Sequence, residues 1–175
     1  MKTTLSATKK AAFLGLAAAL SLLFSYVEIL LPPLYAAVPG IKLGLPNIVI
    51  LYLLYALGIR YAVLVSLVRV MISSLLFGNV MTLAYSAAGA VLSLFVMCLL
   101  KKTGFLSEVG VSVVGGVTHN LGQVLVAILL LDTPQIGYYM LVLTVTGTIS
   151  GICIGLCGAY LLKRLPHKKF LRFDI

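Results

Sequence analysis

The sequence predicts an all-α, polytopic membrane protein: a single domain over residues 1–175, folded as a bundle of six transmembrane helices with both termini in the cytoplasm. Three observations predict it. The chain is 62% hydrophobic and only 10% charged, against roughly 25% charged in a soluble domain, and its mean hydropathy is +1.17. Its apolar runs approach membrane-spanning length and are separated by Pro, Gly and short polar breaks. Its Lys and Arg residues gather in the breaks on one side, which is how membrane orientation is encoded.

The first span is expected over 10–31. Lys9-Lys10 and the run from Ala11 to Phe24 resemble a signal peptide, but the run continues to Leu31, so a retained helix is expected. Within it Ala11, Gly15 and Ala19 recur at four-residue spacing, which lets another backbone approach closely in lipid. Pro32-Pro33 ends the helix. Residues 32–46 are rich in Pro and Gly yet apolar, as in a segment that folds back over a site. The second span, over 43–57, is short. Gly58-Ile59-Arg60 reverses the chain into the third span, 61–77, which carries Arg69 near its middle. Gly78-Asn79 turns into the fourth, 80–100, closed by Lys101-Lys102. The fifth, 109–131, contains Gly115-Gly116-Val117-Thr118-His119-Asn120-Leu121-Gly122-Gln123. Asp132-Thr133-Pro134-Gln135 separates it from the sixth, 136–162, where Gly147, Gly151 and Gly155 form a glycine ladder suited to close helix packing.

A cytoplasmic N-terminus places eleven of the thirteen Lys and Arg residues inside. Lys42 falls outside and Arg69 within the membrane. Topology thus accounts for the net charge of +9, and no basic patch interleaved with aromatics points to nucleic acid. Cys98, Cys153 and Cys157 all lie in apolar runs and read as small packing residues. Most of the tyrosines suit interfacial belts.

The informative residues are polar ones at depth, because a bilayer demands a partner for each. At about 1.5 Å per residue, Arg69 lies about 13 Å from the inner face and His119 at a similar depth. Gln123 is one turn further out on the face of His119, and Asn120 points about 100° away. Glu28, Lys42, Asn47 and Asn79 fall in the outer third. Arg69 either locks the bundle by pairing with Glu28 or helix carbonyls, or receives an anionic ligand. His119, Asn120 and Gln123 either bond neighbouring carbonyls or line a ligand site. Lys42 is either solvated or a ligand contact, and Asn47 and Asn79 serve equally well as helix caps. Lys42, Asn47, Arg69, Asn79, His119, Asn120 and Gln123 are therefore the candidate substrate-binding residues. The sequence contains no phosphate loop, Asp-rich motif, metal cluster or acid pair on one face. The expectation is a non-enzymatic protein without metal or cofactor.

Two stretches, Pro39-Gly40-Ile41-Lys42-Leu43-Gly44-Leu45-Pro46-Asn47 and Gly116-Val117-Thr118-His119-Asn120-Leu121-Gly122-Gln123, together with six short spans, resemble the Gx transporter family, labelled heptaprenyl diphosphate synthase component I. Pro46 stands where that family commonly has Ala. The family is similar to the substrate-binding S components of energy-coupling factor (ECF) transporters. The resemblance implies a multi-pass protein of the bacterial cytoplasmic membrane that captures a small solute from outside. Its pocket would lie among the third, fifth and sixth helices, capped by residues 32–46. The implied partners are a transmembrane coupling subunit, contacted through Ala11, Gly15 and Ala19, and two ATPases. The family label implies an alternative, a non-catalytic accessory role in polyprenyl diphosphate or menaquinone metabolism or extracellular electron transfer.

Overall fold

The structure is a computed structural model, and it describes residues 7–30 and 44–165. Among the described residues there are six α-helices and no strand: α1 Ala7–Leu30, α2 Asn47–Ala56, α3 Ile59–Phe77, α4 Val80–Thr103, α5 Glu108–Leu131 and α6 Met140–Arg164. All but α2 are long and apolar enough to cross a membrane, so the chain is a multi-pass helical membrane protein. Leu16, Leu67, Leu75, Val91, Leu129 and Leu141 are among the large side chains on its outer surface, as expected where lipid is the solvent.

α2 departs from the expected span over 43–57. It has 10 residues, a length of about 15 Å against a hydrocarbon core of about 30 Å. Its start is set by Gly44, at φ +79°, and by Pro46 at the N-cap, which together keep 44–46 out of the helix. Val49 to Leu54 are all buried, and α2 packs on α3 and α6 with a lighter contact to α1. Tyr52 is in this core rather than in an interfacial belt. The chain leaves α2 through Gly58, at φ +101°, whose N–H donates to Leu53 O at 3.0 Å. That left-handed conformation is one a side chain rarely adopts.

α6 also starts later than expected. Pro134–Tyr139 form a 3-10 turn, entered through Asp132 at φ +46°, and the α-helix begins at Met140. Downstream, α6 lies against α5 at backbone distance. A Cβ at Gly151 would stand 2.6 Å from Val113 Cα, and one at Gly155 2.7 Å from Val109 Cα. With the α5 side occupied by glycines, Cys153 and Cys157 fall on the outer surface of α6 and are exposed, correcting the expected packing role; Cys98 is buried. Ala11, Gly15 and Ala19 are exposed as well, and a Cβ at Gly15 would meet nothing within 4 Å. That stripe faces away from the bundle.

The two ends of the bundle differ. An apolar core of Leu51, Leu54, Val65, Met97, Val111 and Leu162 fills the end where α2 and α4 finish and α3 and α5 begin. There Lys101 Nζ donates to Leu54 O at 2.5 Å and lies 5.2 Å from the centroid of Tyr55, so a cation closes the C-terminus of α2. At the other end α2 is too short to fill the bundle, and a cavity remains.

Candidate functional site

The cavity has a volume of about 250 Å³. It is walled by the last turns of α1, the start of α2, the second half of α3, the start of α4, and the middles of α5 and α6. This is a wider set than the third, fifth and sixth helices expected. Lys42 and most of the expected cap, residues 32–46, lie outside the described residues. Gly44 lines the cavity, and its N–H donates to the Glu28 carboxylate. That bond joins the end of α1 to the approach to α2.

Five of the candidate residues, Asn47, Arg69, His119, Asn120 and Gln123, line this one cavity. Helical spacing accounts for the α5 part: His119 and Gln123 are one turn apart on a face, and Asn120 lies at its edge. Asn120 also donates Nδ2 to Leu143 O at 2.8 Å, so it ties α5 to α6 while forming part of the wall. Asn79 is not among the lining residues. It is the N-cap of α4, accepting from Thr82 N at 2.8 Å and from Thr82 Oγ1 at 2.9 Å, as Asn commonly does at a helix start.

Arg69 is the unusual member. It is 9% exposed, and its Nε has no hydrogen-bond partner. A buried charged donor without an acceptor is costly, and more so at membrane depth. Glu28 also lines the cavity, and its charge acts on Arg69. Glu28 thus offsets part of the cost of burying the guanidinium, which keeps an unmet donor at Nε in the wall.

His119 stands between this cavity and a second void of about 20 Å³, which it also lines with Ser66, Ser93 and Ser112. That void suffices for about one water. The serines about one turn either side of Arg69 on α3 separate accordingly: Ser73 lines the main cavity and Ser66 the smaller void.

Sequence reasoning missed the hydroxyl lining and one glycine. Ser25, Ser74, Thr82, Ser86 and Ser150 line the cavity, but single hydroxyls in an apolar run carry little signal. Gly89 backs the site from α4. A Cβ there would stand 2.8 Å from His119 O, 3.0 Å from His119 Cε1 and 3.0 Å from Gln123 Cγ. The small-residue run Ser86-Ala87-Ala88-Gly89-Ala90 was the available clue.

Among the described residues no group of three or more His, Cys, Asp or Glu side chains is placed to hold a metal ion. Fold and site together define a polytopic helical membrane protein with an intramembrane polar cavity. The chain belongs to the heptaprenyl diphosphate synthase component I family, whose model matches residues 17–161. No curated protein and no solved structure matches the chain.

Proposed function

We propose that this protein is the solute-capturing membrane subunit of an energy-coupled importer, of the S-component type, in the bacterial cytoplasmic membrane. One observation carries the reading: five separated polar residues, Asn47, Arg69, His119, Asn120 and Gln123, surround a single cavity in an otherwise apolar bundle. Polar side chains at membrane depth are expensive and generally serve a ligand or ion path. Arg69 provides a donor for an acceptor group on the solute, and His119, Asn120 and Gln123 provide directional hydrogen bonds that select its shape. The excess of Lys and Arg in the opposite breaks orients the cavity outward. A transmembrane coupling subunit and two ATPases would supply the energy, with the exposed stripe of Ala11, Gly15 and Ala19 as the contact to the coupling subunit.

The reading is tested by reconstituting the protein in nanodiscs and identifying retained small molecules by native mass spectrometry. A bound solute in the native protein, lost in Arg69→Ala and His119→Ala variants that remain folded, is the expected result. Retention unchanged in both variants refutes the site.

The family description favours a second reading, a non-catalytic accessory subunit that docks a partner synthase component. The cavity does not suit the product of such an enzyme, because a heptaprenyl tail is apolar and several times larger. On this reading the chain acts by holding its partner at the membrane. Co-purification with a prenyl-transferring partner, whose activity depends on this chain but not on Arg69 or His119, distinguishes it from solute capture.

A further inference from the structure

The small void beside the main cavity has a chemistry of its own. It measures about 20 Å³, and Asn47, Ser66, Ser93, Ser112 and His119 are the polar side chains in its wall, set among apolar ones from α2, α4 and α6. Asn47 and His119 also line the main cavity, so they form the partition between the two spaces. The serines lie behind that partition. Ser66 is 3% exposed and Ser112 5%.

A hydroxyl in an apolar helix can satisfy itself by bonding back to a carbonyl three or four residues earlier. Thr118, Thr144 and Thr148 do so here, and Ser93 instead reaches across to Gly115 O at 2.8 Å. Ser66 and Ser112 do neither. Among the described residues their hydroxyls have no hydrogen-bond partner, and both border the void, one from α3 and one from α5. A buried hydroxyl left without a partner is costly. A void holds a water when it offers about 10–15 Å³ and two to four polar partners, and this one offers both.

We propose that the void is a hydration site: one water molecule, held by the Ser66 and Ser112 hydroxyls, hydrogen-bonds the His119 imidazole from the side away from the main cavity. Ser66 and Ser112 are then positioning residues, which act on the main cavity through His119 and touch no solute. The hydration site stands on the geometry of the void and does not depend on what the main cavity holds. Its effect on solute retention does rest on the solute-capturing reading.

The test is a thermal-unfolding cycle on the full chain in nanodiscs, with Ser66→Ala, Ser112→Ala and the double variant. In a dry void each change deletes an unpaired buried hydroxyl, and the unfolding temperature stays or rises. With water in place each single change should lower it by a few degrees. The double variant should lose clearly less than the sum, because the first change already releases the shared water. A second measurement reads His119 itself. The chain has two histidines, His119 and His167, so the imidazole nitrogen resonances of isotope-labelled His119 are those that persist in His167→Gln. They should shift in both serine variants. Ser107→Ala, which removes the N-cap of α5 and lowers stability away from the void, should leave them in place.

Unfolding temperatures that stay or rise in both single variants, strictly additive losses, or unmoved His119 resonances overturn the proposal. So does a native stability that rises with sodium but not with potassium and loses that dependence in the double variant, which would put an ion in the void. If one serine variant does not fold, the sign of the other and its His119 resonances decide. Where the native protein retains a solute, retention should fall in the serine variants, and unchanged retention overturns their action on the main cavity. A native protein that retains none removes solute capture and leaves the hydration site to the first two measurements.

Discussion

Arg69 shows how a single residue can be stable in a membrane and still serve a ligand. Its burial and the unmet donor at Nε would be prohibitive beside lipid, yet Glu28 shares its cavity and supplies the opposite charge. Arg69→Ala is accordingly expected to do more than remove a ligand contact, because it leaves Glu28 facing the cavity without that cation. Lowered thermal stability in nanodiscs should accompany loss of solute. Asn79 behaves differently. As the cap of α4 it should lose about 1 kcal/mol on change to Ala, with solute retention unchanged, as measured by unfolding and native mass spectrometry side by side. Gly89→Ala should push His119 and Gln123 toward the cavity, because the nearest neighbour of the added Cβ is the His119 carbonyl oxygen at 2.8 Å. Solute retention should fall there although Gly89 itself is not a lining residue.

Among the helices, α2 and the α5–α6 pair decide the shape. A helix of 10 residues cannot cross a bilayer alone, and its shortness creates the cavity beyond its N-terminus. Gly44 and Pro46 enforce that shortness. The α5–α6 contact has the opposite character, with backbones approaching at Gly116, Gly147, Gly151 and Gly155. In lipid such close van der Waals packing replaces the hydrophobic effect as the force between helices. Gly151→Leu should separate the pair. Overpacking of this kind costs about 1–3 kcal/mol, read as a lower unfolding temperature and as weaker protection of α5 amides in hydrogen exchange. Asn120→Leu should act on the same contact by removing the Nδ2 bond to Leu143 O that ties α5 to α6, at about 1 kcal/mol.

At the scale of the molecule, the bundle has an apolar, base-ringed end and a polar, hollow end. The Lys101 contact with Leu54 O and the Glu28 contact with Gly44 N–H mark the two levels. If the Lys/Arg bias reports orientation, the hollow end faces out. In a protein whose native cysteines are replaced, Asn79→Cys should react with an impermeant thiol reagent from outside. Thr103→Cys should react only after the membrane is opened. The reverse pattern would turn the cavity to the cytoplasm and exclude capture from outside.

The sequence by itself determined the helical membrane class, the breaks between helices and the polar residues worth following. Each of these follows from local rules: apolar run length, proline and glycine chemistry, and the cost of polar groups in lipid. It could assign Arg69 and His119 to similar depths, because rise per residue is constant along a helix. Only the tertiary structure decided that residues from α2, α3 and α5 meet in one cavity, that Glu28 and several serines join them, and that Asn79 does not. Which faces of two helices meet depends on how closely their backbones approach. That distance is decided by the full set of small residues at the crossing, of which the ladder in α6 supplies one half and Gly116 with its neighbours on α5 the other.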